Sequence, residues 1–191
     1  MDYEDFKAAL ASAGITPDSH ALMTMERIEA SEESGIGYIS SGRSDINHLL
    51  RFDPRASDEE IKKVEETLKV SLPEDYVRFL KDFGGADGLY QQWPEVFSAT
   101  WENGKCDLLI QQEGYGEGFK GNFVRIGDFD AEQFGFDCGH FGFVVEDGVC
   151  RPEVVYIDHE CSGYNVNEYL QVINNDICEF LLRVLINNIL N

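Results

Sequence analysis

The amino-acid sequence predicts an α+β fold in which helices come first, a meandering sheet follows, and a long helix closes the domain. Three observations lead to this prediction. Apolar residues recur at helical spacing up to Phe83, short apolar runs divided by Gly, Asp and Asn follow as far as Asp158, and a helical pattern returns near Asn167. The length of 191 residues suits one such domain with an extension.

The N-terminal part of the sequence is set apart by its composition. Residues 2–33 have the apolar spacing of one or two helices, the second beginning at a cap near Asp18. Gly and Ser are frequent from Ser34 to Asp45, as in a linker. The sequence therefore predicts an N-terminal helical extension, residues 1–50, and a main domain, residues 51–191.

Two helices at the start of the main domain carry clear start and stop signals. Ser57 and Glu60 have the spacing of a capping box, in which each side chain satisfies the other residue's amide. Pro73 and two acidic residues after it favour the first turn of a second helix. Gly84-Gly85 predicts that this helix ends in a left-handed cap.

The middle of the sequence predicts strands, and the end predicts a helix. The strands expected from short apolar runs are Cys106–Ile110, Phe123–Ile126, Gly142–Val145 and Val154–Ile157. The Asp147-Gly148 turn signal predicts that the last two are adjacent and antiparallel. The closing helix, from about Asn167, is apolar on more than one face, so either the rest of the chain or a second copy covers it.

Ten positions between Ala56 and Gly88 match a known motif: a capped helix with a Glu, then Leu-Pro-x-x-Tyr/Phe-x-x-Phe/Leu-Leu, then a Gly-rich stop. They are Ile61, Glu65, Leu68, Leu72, Pro73, Tyr76, Phe79, Leu80, Gly84 and Gly85. This segment resembles the opening of the SUKH superfamily, the Smi/Knr-like domains. The segments Phe123–Asp130 and Val154–Glu160 resemble two later strands of the same family. The first 50 residues are additional, and Lys69 replaces a common Gly.

The resemblance implies a curved, mostly antiparallel sheet flanked by helices. It also implies a function, since many bacterial members are immunity proteins that bind and neutralise toxins of polymorphic or contact-dependent systems. Those toxins are often nucleases or nucleic-acid deaminases. A minority of members resemble regulatory scaffolds for an endogenous protein, and members are not known as enzymes. Both binding roles stay open from the sequence.

The charge of the chain points to a basic partner. The formal net charge is −21, which disfavours direct binding to nucleic acid or to an anionic membrane. Residues 82–191 alone contain 19 acidic and 5 basic residues. A field of one sign destabilises a compact domain by self-repulsion, and a basic partner relieves this repulsion.

Acidic residues from three parts of this segment are the candidate contacts with a cognate toxin. A basic nuclease or deaminase cleft holds phosphates with Lys and Arg, and carboxylates can mimic those phosphates. The predicted contacts are Glu113, Glu117, Asp128, Asp130, Glu132, Asp137, Glu146, Asp147, Asp158 and Glu160. Five neighbouring aromatics are either interface anchors or core residues: Tyr115, Phe119, Phe129, Phe134 and Phe136.

Catalysis and metal binding have weaker support in the sequence. Cys138 with His140 and His159 with Cys161 are zinc-type ligands, but each pair has one intervening residue instead of the usual two to four. We predict no catalytic residue, metal site or cofactor. Five cysteines without disulfide-scaffold spacing and an acidic N-terminal start predict a cytoplasmic protein, expected as a monomer or weak homodimer.

Overall fold

The computed structural model describes residues 1–13, 50–88, 95–102, 104–113, 121–129, 139–158 and 170–190. These residues form five helices and nine strands. The helices are α1 (Tyr3–Ser12), α2 (Asp58–Leu68), α3 (Glu74–Asp82), α4 (Asp107–Glu113) and α5 (Ile177–Leu190). The strands are β1 (Leu50–Phe52), β2 (Ala86–Gly88), β3 (Glu95–Val96), β4 (Trp101–Glu102), β5 (Lys105–Cys106), β6 (Phe123–Phe129), β7 (Gly139–Glu146), β8 (Val149–Asp158) and β9 (Gln171–Asn174).

Seven of these strands form one open sheet in the order β1-β2-β3-β6-β7-β8-β9, and every neighbouring pair is antiparallel. β4 and β5 form a separate hairpin. Side chains of the sheet and of all five helices share one large core. A smaller cluster, formed by Phe123, Val155 and Ile157, lies on the other face of the sheet, because side chains alternate along a strand. The predicted α+β class is confirmed.

The start of α2 is the capping box that the sequence predicts. Ser57 Oγ accepts a hydrogen bond from the Glu60 amide at 3.3 Å, and the Glu60 carboxylate accepts one from the Ser57 amide at 2.8 Å. The same carboxylate accepts the Trp101 amide at 2.9 Å and so ties the β4–β5 hairpin to the helix. These hydrogen bonds lower the pKa of Glu60, and the hydrogen bond from the Ser57 amide has the largest effect.

Lys69 ends α2 in the left-handed conformation, with φ 58° and ψ 42°. A Cβ makes this conformation costly, whereas glycine adopts it freely. We expect Lys69→Gly to raise the free energy of unfolding by about 0.5–1 kcal/mol in urea denaturation. As a control, Lys62→Gly inside α2 should lower it by about 1 kcal/mol. A loss of stability at Lys69 would contradict the argument.

The glycine pair after α3 ends the helix as predicted. Gly84 has φ +83°, and its amide donates to the Leu80 carbonyl at 3.0 Å. The chain before α2 crosses this helix end, where the Ala56 amide also donates to the Leu80 carbonyl at 3.0 Å. A Cβ added to Gly84 would lie 2.2 Å from the carbonyl oxygen of Asp53. The glycine therefore both ends the helix and lets another segment approach it.

The hairpin between β7 and β8 is also as predicted. Glu146 pairs with Val149, which leaves Asp147 and Gly148 as a two-residue turn. Asp147 has φ 50° and Gly148 has φ 77°. Two consecutive positive φ values are those of a type I′ turn, whose twist matches that of the strands.

The predicted strand Cys106–Ile110 is wrong. Only Cys106, the end of β5, is extended, and α4 begins at Asp107. The Leu108 amide donates to the Ser98 carbonyl at 3.0 Å, and Leu108 itself is fully buried. Gln112 Nε2 donates to the Arg125 carbonyl on β6 at 2.7 Å. These contacts with distant residues stabilise a helix that the local apolar run does not reveal.

The predicted start of the closing helix near Asn167 is also wrong, because α5 begins at Ile177. Gln171–Asn174 is instead β9, paired with β8. Asp176 caps the helix, since its Oδ1 accepts the Glu179 amide at 3.0 Å. The start of α5 is buried within the chain's own core through Ile177, Cys178, Phe180, Leu181, Val184 and Leu185. Within the described part of the chain, no helix has the length and apolarity needed to cross a membrane.

The first predicted N-terminal helix is α1, whereas the second, near Asp18, lies outside the described residues. Tyr3, Phe6 and Leu10 are buried in the large core together with the sheet and the other helices. The division of the chain at residue 50 stays a prediction. α1 itself packs as part of the same core as the main domain.

Candidate partner-binding surface

Four of the ten predicted contact residues have described side chains: Asp128, Glu146, Asp147 and Asp158. Glu113 is the last residue of α4, but its side chain does not belong to the described part of the structure. The other five lie outside the described residues: Glu117, Asp130, Glu132, Asp137 and Glu160. Their role as contacts stays a prediction.

The four described carboxylates divide between two ends of the sheet. Phe129 pairs with Gly139, and Gly139 pairs with Asp158, so these residues and Asp128 lie together at what we call the Asp128 end. Glu146 and Asp147 belong to the hairpin at the opposite end. The eight residues of β7 separate the two ends by about 23 Å, at ~3.3 Å per residue. The ten residues are thus not one contiguous surface.

Six of the ten belong to chain segments that start or finish at the Asp128 end: Asp128, Asp130, Glu132, Asp137, Asp158 and Glu160. Residues 130–138 connect the paired strand ends of β6 and β7, and residue 159 follows β8. The last turn of α4, which ends at Glu113, is instead hydrogen-bonded to Arg125, which pairs with Gly142 in the middle of β7. More of the predicted contacts therefore adjoin the Asp128 end than the hairpin end.

A polar network centred on Asp128 organises this end. Arg125 donates from Nε to Asp128 Oδ1 at 2.7 Å and from Nη2 to the other oxygen. His140 Nδ1 lies 2.7 Å from Asp128 Oδ1, directly across the β6–β7 pair. Gln112 accepts the Arg125 amide at 3.0 Å and donates to its carbonyl at 2.7 Å. The network joins α4, β6 and β7.

A strand irregularity makes this network possible. Residues three apart in a regular strand point to opposite faces, which would separate Arg125 from Asp128. The β6–β7 register shifts between Arg125 and Gly127, as at a β-bulge, and brings the two side chains together. Sequence reasoning identifies Asp128 as a contact and His140 only as a possible zinc ligand, and it misses Arg125. The contacts among the three are not predicted, because the bulge has no clear sequence signal here.

We expect the stability of the protein at low pH to depend on the ionised carboxylate of Asp128 in this network. Burial acts to raise the pKa of Asp128, but hydrogen bonds from His140 and Arg125 and the Arg125 charge lower it overall. The stabilisation is therefore present above the unfolded pKa of about 3.9 and is lost as pH falls through the folded pKa. We expect the stability difference between wild type and Asp128→Asn to shrink on acidification.

Urea denaturation between about pH 7 and pH 3 measures that difference. Asp58→Asn is the control, because Asp58 is 78% exposed in its ion pair with Lys81. Exposed ion pairs contribute little to stability, so its effect should stay small at every pH. A pH-independent difference for Asp128→Asn would contradict the prediction.

Comparison with known protein families shows to which of them the chain belongs. The sequence model of the SMI1 / KNR4 family (SUKH-1) matches residues 55–183, more than half of the chain. The chain belongs to the SMI1 / KNR4 family. The match runs from the segment before α2 into α5 and confirms the resemblance seen in residues 56–88. No curated protein matched the chain.

The SUKH family is associated with immunity proteins of toxin systems, and its members bind toxin partners. They are generally non-catalytic, with immunity or regulatory roles. The matched range contains α2, α3, α4 and the sheet from β2 to β9, including the whole Asp128 network. α1 and β1 lie before it.

The hairpin end of this SUKH domain presents exposed charges. Glu146 forms an ion pair with Arg151 at 2.8 Å, and both side chains are more than half exposed. Asp147 is exposed in the turn. Such a pair is weak because water and salt screen it, so its charges stay available to a partner.

Metal and thiol chemistry find little support in the described part of this SUKH chain. Three of the four predicted zinc ligands lie outside the described residues: Cys138, His159 and Cys161. The fourth, His140, is hydrogen-bonded to Asp128. Where the chain is described, no three His, Cys, Asp or Glu residues are grouped to hold a metal ion. Burial raises the pKa of the Cys150 thiol to about 12, which disfavours the thiolate that a nucleophile needs.

Proposed function

We propose that this SUKH-1 protein is an immunity protein that binds and neutralises a cognate bacterial toxin of a polymorphic or contact-dependent system. The family match over residues 55–183 carries the proposal. The charge of the chain supports it, since 19 acidic and only 5 basic residues follow Lys81. A carboxylate-rich surface attracts a basic partner and speeds its association.

The toxin that fits this surface is a basic nuclease or a nucleic-acid deaminase. Enzymes of both kinds hold phosphates with Lys and Arg, and an acidic protein can occupy the same groups. Residues 56–81, which contain α2 and most of α3, have 7 acidic and 5 basic residues, so they attract a basic partner less than the acidic part of the chain that follows. The Asp128 end, with six of the ten predicted contacts, is therefore the favoured contact region.

Co-expression with the product of the immediately upstream gene tests the function. Immunity genes are inherited with their toxins, so this product is the first candidate partner. We expect a stable complex in affinity pull-down and rescue of growth from the toxicity of that product. Absence of both complex and toxicity would count against immunity and favour a regulatory scaffold for an endogenous protein.

Charge reversal then tests the acidic surface. Asp130→Lys with Glu132→Lys should slow association with the partner on the order of tenfold at low salt, because steering depends on charge. The matched control is Glu59→Lys with Glu66→Lys, which makes the same charge change on the exposed face of α2. Glu146→Lys probes the hairpin end. Wild-type affinity for the first variant would refute a contact at the Asp128 end.

A further inference from the structure

β9 ends the large sheet on one side, and its outer edge is open within the described part of the chain. β9 pairs with β8 on its inner side, and no described strand pairs with it on the other. Gln171 is exposed, and Val172 is 62% exposed. An open edge presents backbone N–H and C=O groups without a partner strand, so it can accept a further strand.

β9 lacks two features by which proteins commonly protect such an edge. Its four residues include neither a charged residue nor a proline. The strand at the opposite edge of the sheet, β1, contains Arg51. The irregularity of β9 is Ile173, which has no counterpart on β8 in the strand register. Such a bulge twists the edge and makes it a poor template for indiscriminate pairing, so an occupant has to fit it.

The apolar surface on one face of the sheet continues to this edge. Val172 pairs directly with Val155, so both side chains point to the same face of the sheet. Val155 is 2% exposed and belongs to the smaller apolar cluster, whereas Val172 is exposed. A strand added to β9 would therefore cover Val172 with a side chain of its own.

The charge around β9 favours a basic occupant. Residues 152–182, which include β9 and most of β8, contain six acidic residues and no Lys or Arg. A second copy of the chain would bring a net charge of −21 to this edge. Pairing through four residues supplies only a small part of the ~1,200 Å² or more that a stable interface buries, too little to offset this repulsion. A basic partner is instead attracted to the same place.

Building on the proposed function, we propose that the outer edge of β9 is a docking surface to which the basic partner adds an extended segment as a further strand. Backbone hydrogen bonds to the edge give affinity in this mode of recognition, and contact with Val172 gives specificity. The edge adjoins the favoured contact region, because Gln171 pairs with Tyr156, two residues before Asp158 at the Asp128 end. The predicted contacts leave out β9 because they depend on charge and its residues are neutral.

The deciding variant is Val172→Lys, with Val149→Lys as its matched control. Both valines are exposed, 62% and 56%, and both lie in strands of the same sheet, so the two variants make the same change at different places. A lysine on an edge strand disfavours the addition of another strand and repels a basic segment.

The binding probe is the upstream gene product. We expect Val172→Lys to bind it roughly 10-fold or more weakly, through faster dissociation. Val149→Lys should bind within about twofold of wild type, and urea denaturation should show that both variants are folded. Equal losses of affinity in the two variants, or wild-type affinity in Val172→Lys, would overturn the proposal.

Amide hydrogen exchange separates this proposal from the proposed function. In the free protein, the amides of β9 should exchange faster than those of β7, which is paired on both sides. Exchange as slow as in β7 would show that the edge is already covered and would overturn the proposal without any partner. Binding of the upstream gene product should slow exchange in β9.

The remaining outcomes also discriminate. A complex without slower exchange in β9 would overturn the docking surface and leave the proposed function standing, whereas absence of any complex would overturn both. Light scattering on the free protein tests the other occupant. A dimer that Val172→Lys converts to a monomer would identify a second copy of the chain at this edge and overturn its assignment to the partner.

Discussion

Replacing Phe6 with alanine is expected to lower the free energy of unfolding by about 3–5 kcal/mol. Phe6 is fully buried, and its ring meets the rings of Phe79 and Phe83 of the α3 region edge-on, with centroids 6.3 Å apart in both cases. Truncation removes this apolar surface and leaves a cavity between α1 and α3. The effect should be as large as that of a core residue within the matched family domain.

Urea denaturation of the full chain measures this effect, with Glu4→Ala as the control on the same helix. Glu4 is 76% exposed in its ion pair with Lys7, so its loss should change stability by no more than about 0.5 kcal/mol. A similarly small change for Phe6→Ala would mean that α1 does not stabilise the domain. The N-terminal segment that contains α1 would then contribute little to the free energy of unfolding of the domain. The expected large loss would instead make α1 part of the folding unit.

Elements whose signals are local could be predicted from the sequence. The Ser57 capping box, the Gly84 helix stop and the Asp147-Gly148 turn depend on the chemistry of two to four adjacent residues. Each of these patterns has few alternative conformations, because the required hydrogen bonds or φ values restrict the backbone. The family resemblance rests on segments of the same kind.

Elements that depend on distant residues could not be predicted. The sequence from Cys106 to Ile110 resembles a strand, but Gln112 binds the backbone of β6 and holds α4 in place. Leu170, Ile173 and Ile177 keep helical spacing across β9 and into α5, and only pairing with β8 makes Gln171–Asn174 a strand. The Asp176 cap was a usable local signal for the start of α5, which this helical spacing obscured.

The candidate site shows the same limit. Acidic residues could be found in the sequence, and their general location after residue 82 follows from composition alone. That Asp128 is paired with Arg125 and His140 depends on a bulge and on strand register. The sequence thus indicates which charges the protein has, whereas the fold decides which of them are already matched.

Gly84→Ala is expected to lower the free energy of unfolding by about 2–4 kcal/mol, from two additive causes. The first is the left-handed backbone, φ +83°, which costs a residue with Cβ about 1 kcal/mol. The second is steric, since the new Cβ would lie 2.2 Å from Asp53 O and 2.6 Å from Pro54 O. These are backbone atoms, so relief requires the chain before α2 to move away from the end of α3.

Gly104→Ala separates the two causes, because Gly104 has nearly the same φ, +79°, and no described atom lies within 4 Å of the position that its new methyl group would take. Its cost should be only the backbone part, about 1 kcal/mol. The difference between the two variants in urea denaturation then measures the close approach at Gly84. Equal costs would show that Gly84 acts only as a helix cap. A larger cost at Gly84 would show that the close approach of the Asp53 and Pro54 carbonyls, and not only the left-handed conformation, requires glycine there. The conformation alone does not require glycine, because Lys69 also adopts it at the end of α2.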